Sequence, residues 1–349
     1  MTGDHGVTGE RGVIGEQGIH AAAVPNELPF AELRIRPGAD GGLAIDPQRA
    51  GWRYLSFRSL TVRTDEGLGI GGPRVEAVLV TVGGGGVVVT VSGGERIDLP
   101  GRASPFDGLP WGLYLPAGRT ATVRGSPVEP GTPVHVALAQ APVRPSRTGV
   151  ADRPVRISPD EVAVEIRGRG NATRQINHIV APGFPADRLL VVEVYTPGGN
   201  WSSWPPHKHD VDDMPHEAVL EEIYYYQLRR PEGWGLQRVY RRDGMRDGLW
   251  AVRHGELVLV PDGYHPFVAA HGYDAYYLNV LAGDRRTMAC SFDPDVDWTR
   301  AAWEHLDPDP RVPLVRPPSW PRPIDLAAQP GVTAGSGARA TAQPLPERC

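Results

Sequence analysis

Between about residues 28 and 311 the chain alternates short apolar runs with turn signals. The runs are VEAVLVTV, GVVVTVSG, GLYLPAG, VHVALAQA, LLVVEVYT, EIYYYQL, ELVLVPDG and AYYLNVLA. Runs of this length, rich in Val, Tyr and Leu and closely spaced, predict an all-β chain of sandwiches or barrels. Helical periodicity is sparse. One helix is expected over 295–306, DVDWTRAAWEHL, with Asp and Pro near its start. The longest apolar stretch, VEAVLVTVGGGGVVVTV, carries a glutamate and four glycines in mid-run. It reads as two strands around a glycine turn and makes a poor membrane span.

The two halves echo each other. In the second, Glu222 opens a strand and VLVPDGYH follows, with Pro261, Gly263 and His265. In the first, Glu76 opens a strand and LYLPAGRT follows, with Pro116, Gly118 and Thr120. The frame recurs with threonine in place of histidine, and no His-x-His precedes the first glutamate. The expectation is a duplicated barrel whose first copy lacks a metal site. The division read from this is a Gly-rich extension (1–27), a metal-free barrel (28–150), a metal-binding catalytic barrel with its leading connector (151–310), and a Pro-rich strap and tail (311–349).

Composition fits that picture. The 349 residues include 43 Gly and 36 Pro, which interrupt helices and punctuate strands. A net charge of −5 gives no basic footprint for nucleic acid or anionic lipid. Cys290 and Cys349 are too few for a disulfide framework or a thiolate metal site. The first twenty residues lack the apolar core of a secretory signal, so a cytoplasmic protein without membrane or nucleic-acid partners is expected.

Candidate chemistry gathers in the second half. His207 and His209 sit in PPHKHD, and on a strand residues i and i+2 face the same way. Both imidazoles can then meet one ion while Lys208 turns away. Glu222 shares a face with Tyr224 and Tyr226, whereas Glu221, Ile223 and Tyr225 share the other. His265 follows a Pro-x-Gly turn that can aim it inward. Three imidazoles and a carboxylate suit one divalent ion, with coordination positions left for substrate oxygens. Without an ion, four such groups would each need several buried hydrogen-bond partners. His216 and His271 read as loop histidines.

These residues resemble the two cupin motifs. GGNWSSWPPHKHD, LEEIYYYQ, GYDAYYLNVLAGD and RGRGNATRQINHI further resemble the 5-deoxy-glucuronate isomerase family of myo-inositol catabolism, over about Phe30 to Trp298. The resemblance implies a bicupin, two tandem jelly-roll barrels with few short helices. It implies metal ligands at His207, His209, Glu222 and His265, the insert after His209 leaving strand phase to choose Glu222 over Glu221. Zinc is the favoured ion, with manganese or iron as alternatives. The implied reaction is an aldose–ketose isomerisation of 5-deoxy-D-glucuronate to 2-deoxy-5-keto-D-gluconate, assisted by the metal through an enediolate. Tyr224, Tyr226 and Tyr277 are candidates for proton transfer or substrate contact. Arg174 is the candidate for the substrate carboxylate. By analogy with cupins, a homo-oligomer is expected. The rival readings are a ketol-isomerase of pectin breakdown, a cupin dioxygenase and a non-enzymatic sugar-binding cupin.

Overall fold

The computed structural model describes residues 33–146 and 148–319. The 1–27 extension and the tail beyond residue 319 lie outside the described residues. All eight apolar runs are strands, and the chain is an all-β bicupin. The expected helix is shorter than its pattern: turns occupy the start of 295–306, and helix is confined to Thr299–Ala302 with a 3-10 turn at Trp303–His305.

In the second half a seven-stranded sheet faces a four-stranded one. The larger runs Arg34–Ile35, Leu257–Val260, Glu221–Leu228, Ala275–Ala282, Leu189–Thr196, Arg174–Val180, Ala163–Arg167. The smaller runs Trp201–Ser202, Phe267–Ala269, Trp234–Tyr240, Asp247–Arg253. Between them lie Val194, Tyr226, Val239, Phe267 and Tyr277. The outer face of the larger sheet is buried too, because Ile223, Tyr225, Leu278 and Val280 pack against Phe57, Val78 and Ala137 of the first half. Burial on both faces explains why EIYYYQL and AYYLNVLA are apolar at almost every position rather than at alternate ones.

The halves also exchange strands. Arg34–Ile35 pairs with Leu257 and Val258 of the second half, while Val155–Ile157 pairs with Gly112–Leu115 of the first. Sheet membership therefore crosses the 28–150 and 151–310 limits, since each barrel edge is covered by backbone from the other half. The described part of the strap, 311–319, packs on the second barrel. Val315 is buried there and exchanges two hydrogen bonds with the Gln175 amide.

Register corrects the internal echo. Ala77 stands opposite Leu115, just before Pro116, as Glu222 stands opposite Val260, just before Pro261. The first-half counterpart of Glu222 is thus alanine, and Glu76 corresponds to Glu221. Both of these glutamates reach across to the other half. Glu76 accepts the N–H groups of Asp187, Arg188 and Leu189, and Glu221 those of Arg53, Tyr54 and Leu55.

Candidate metal centre

Strand phase turns Glu222 into the second barrel and Glu221 out of it, as alternation requires. His209 is brought to Glu222 by the segment that follows Lys208, whose ammonium turns away to Asp210 (2.6 Å) and Glu217 (2.8 Å). His265 arrives by the tight turn at Gly263. Its φ of 79° and the Tyr240 carbonyl, 2.4 Å from where a Cβ would lie, leave room for glycine alone. Asp210 ties the two segments together by accepting the Gly263 N–H at 2.8 Å.

One ligand atom each from His209, Glu222 and His265 lie within 4.8 Å of one another, all three residues buried. Glu222 Oε2 is 2.8 Å from His209 Nε2 and 3.1 Å from His265 Nε2. His207 is buried in the same cavity, its ring edge-on to His265 with centroids 4.7 Å apart, but its nitrogens fall outside that three-residue group. His216 is exposed and pairs with Asp213, and His271 is exposed on its loop.

The donor chemistry fits a cation. Nδ1 of His209 faces the Leu220 carbonyl at 3.1 Å, that of His265 the Gly263 carbonyl at 2.9 Å, and that of His207 the Pro205 carbonyl at 3.4 Å. A carbonyl only accepts, so these nitrogens carry the hydrogens, and the Nε2 lone pairs of His209 and His265 point to Glu222. Lone pairs aimed at a carboxylate repel unless a positive charge lies between them. His265 Nε2 makes no hydrogen bond although it is wholly buried. Burial and the neighbouring histidines hold His207 well below the ordinary imidazole pKa, and burial also lowers His265. Burial opposes the charge on Glu222, yet His265 and His209 outweigh it and keep the carboxyl below its usual range. Burial likewise opposes a charged His209, but Glu222 raises its pKa. The centre is organised around one positive charge beside Glu222. Asn279 donates to the other oxygen of that carboxylate.

His207, His209, Glu222 and Asn279 line a cavity that continues past Tyr224 and Tyr277 to Arg174, Arg167 and His178. Tyr224 and Tyr277 stack with centroids 4.5 Å apart, and their hydroxyls meet Ser203 (2.7 Å) and Ser202 (3.1 Å). Ser203 adopts a left-handed φ of 50°. Such strain costs on the order of 1 kcal/mol and is common where a side chain must be aimed. Tyr226 does not line the cavity; its hydroxyl donates to Gln237, which in turn binds the His265 carbonyl. Tyr226 is therefore a support for the histidine segment and not a contact in the cavity. Arg174 is buried and donates to the Ala172 and Trp204 carbonyls, each at 3.1 Å, but forms no ion pair with any described carboxylate. Burial, and then the charge of Arg167, lower its pKa to about 9.

Ser203, Asn279 and His178 escaped the sequence reading. Asn279 carried a signal: it is the polar residue within AYYLNVLA and shares phase with Tyr277. His178 shares phase with Arg174. Ser203 had none, because its place depends on a turn conformation.

Fold and centre together define a bicupin with, among the described residues, one candidate metal site, inside its second barrel. The comparisons narrow this. The chain belongs to the KduI/IolB family, whose model matches residues 34–299. It is 42 % identical over 266 residues to a 5-deoxy-glucuronate isomerase of Geobacillus kaustophilus, covering 75 % of this chain and 92 % of the relative. A protein of the same name from Listeria monocytogenes is 35 % identical over 272 residues, covering 76 % and 94 %. The crystal structure of an IolB-like protein from Salmonella typhimurium superposes with a TM-score of 0.70 at 35 % identity, covering 76 % of this chain and 98 % of that one. The chain is thus an isomerase. Among the described residues no helix is long and apolar enough to cross a membrane.

Proposed function

We propose that this isomerase converts 5-deoxy-D-glucuronate to 2-deoxy-5-keto-D-gluconate, an aldose–ketose step of myo-inositol catabolism. The observation that carries the reading is one cavity with a cation-demanding cluster on one wall and an unpaired buried arginine on another. A uronate needs both, since its carbonyl and adjacent alcohol lie at one end and its carboxylate at the other.

His207, His209, Glu222 and His265 would hold one divalent ion, zinc by preference and manganese or iron as alternatives. When bound, the ion supplies electrophilic charge beside the C1 and C2 oxygens, favouring the charge distribution of an enediolate. Arg174 receives the carboxylate, which restores charge balance to a guanidinium that lacks an anion. Burial raises the pKa of Tyr224 and Tyr277, to which the charge of Glu222 adds. Both phenols thus stay protonated and act as hydrogen-bond donors to substrate oxygens. The apolar wall of Ile176, Val192 and Val194 excludes water from the reacting carbons.

The test is incubation of protein loaded with zinc, manganese or iron with 5-deoxy-D-glucuronate, followed by NMR. Ketone signals should replace the aldehyde, under anaerobic conditions as well as in air. No conversion with any of the three metals sinks the assignment.

A further inference from the structure

The reaction needs a group that takes a proton from one carbon and returns it to the next. Most titratable side chains lining the cavity are already committed. His207, His209 and Glu222 face the ion position, Tyr224 and Tyr277 are protonated phenols, and Arg167 and Arg174 are cations. His178 is the remaining cavity-lining titratable group among the described residues.

His178 lies on Arg174–Val180, in phase with Arg174 and Ile176, and all three line the cavity. Its Nε2 is 2.9 Å from Glu165 Oε2 on the neighbouring strand. Arg167 grips the same carboxylate with two hydrogen bonds, at 2.7 and 2.9 Å. Burial opposes ionisation of Glu165, but His178 and Arg167 outweigh it and bring its pKa to about 2. An ionised carboxylate only accepts, so Nε2 carries the hydrogen. Nδ1 is left with a lone pair and no hydrogen bond among the described residues. This is the carboxylate–imidazole arrangement in which the carboxylate sets the tautomer and supports the charge that forms on the ring.

Reach is adequate. His178 pairs with Val192, Val192 with Asn279, and Asn279 holds Glu222. Two strand spacings separate His178 from Asn279, about 10 Å between backbones. Side chains reaching inward from both narrow this separation to a gap of a few ångströms, the size of a C1–C2 unit held by its oxygens at the ion position.

We propose that His178, oriented by Glu165, is the catalytic base of this chain; the assignment rests on the isomerase reading above. Nδ1 takes the C2 proton. The C2–H electron pair becomes the C1–C2 double bond, and the carbonyl pair moves onto O1. The O2 proton passes to O1, O2 becomes the carbonyl oxygen, and Nδ1 returns its proton to C1. No net oxidation or reduction occurs.

Full-length, metal-loaded wild type, H178Q, E165Q and E165D are compared in D2O by NMR, with bound metal measured alongside. Wild type should place deuterium at C1, because the His178 side chain is 19 % exposed and exchanges with solvent. H178Q should lose about 10²–10⁴ in kcat at unchanged metal content and nearly unchanged KM. E165Q should lose less, E165D should recover part of it, and ¹⁵N spectra of neutral His178 should show the Nε2–H tautomer. A deuterium-free product, an Nδ1–H tautomer, or an H178Q variant that raises KM while keeping kcat would each overturn the assignment. A wild type inert with every metal instead overturns the isomerase reading, and the base with it. A wild type that turns over no faster than H178Q removes the base alone.

Discussion

The Arg102→Met substitution tests how the two halves are joined. Arg102 leaves the first half to pair with Glu193 of the second, with side chains 2 % and 0 % exposed. The guanidinium also donates to the carbonyls of Gly108 (2.8 Å) and Thr81 (3.2 Å). Removing one member of a buried pair typically costs about 3–5 kcal/mol, because the other charge stays behind in low dielectric. Glu193 would keep neutral donors from Tyr276 at 3.0 Å, Asn177 at 3.3 Å and Tyr195 at 3.3 Å. Each is worth about 1 kcal/mol, which favours the lower end, about 3 kcal/mol. For a chain of this size that corresponds to a fall in Tm of roughly 4 °C. Glu193 lies between Val192 and Val194, which line the cavity, so its own side chain faces away from it. R102M should therefore unfold earlier in urea and in calorimetry while keeping kcat within about twofold at 25 °C. R102M/E193Q, with neither charge buried, should regain most of the loss. A loss below about 1 kcal/mol, or a double variant as unstable as the single one, would refute the reasoning.

Three further outcomes follow from the centre and its supports. Chelation should abolish turnover and lower Tm, and N279A, which frees one oxygen of Glu222, should weaken metal binding by about 10–100-fold in equilibrium dialysis. Y226F should cost about 1 kcal/mol of stability and leave kcat within about threefold, whereas Y224F should lower kcat by about tenfold or more. His178 and Arg167 hold the Glu165 pKa at about 2 in the folded chain against an ordinary value of 4.5, so its contribution is full above pH 4.5 and lost as pH falls toward 2. The wild-type urea midpoint should drop across that window by an amount worth on the order of 2 kcal/mol, and the drop should be smaller in E165Q.

Much of this was legible in the chain. Strand phase alone separated Glu222 from Glu221 and turned Lys208 away, because side-chain alternation is local geometry that tertiary context does not alter. The apolar runs marked the strands for the same reason. Strand exchange was not legible, since Arg34–Ile35 and Val155–Ile157 are short and carry no sign of which sheet they join. The echo misled by one position: Glu76 and Glu222 both follow a turn and open a strand, but only pairing partners fix register. Tyr226 misled differently. Its phase is inward, as expected, but the cavity ends before it and Gln237 takes its hydroxyl.

The first half has a structural role in the second. Glu221 is anchored by three N–H groups of residues 53–55, and Glu222 is the next residue along the same strand. Arg34 grips Glu256 with two hydrogen bonds, and its strand pairs with Leu257–Val260, the strand beside Glu222. Both neighbours of the Glu222 carboxylate, along the chain and across the sheet, are thus held by the first half. A slip of one residue in Glu221–Leu228 would exchange Glu222 for Glu221 or Ile223 in the cavity, removing the carboxylate or bringing in the wrong one. The clamp at residues 53–55 works against such a slip, because it binds a carboxylate of the opposite phase at the adjacent position. What the first barrel supplies to the second is thus register.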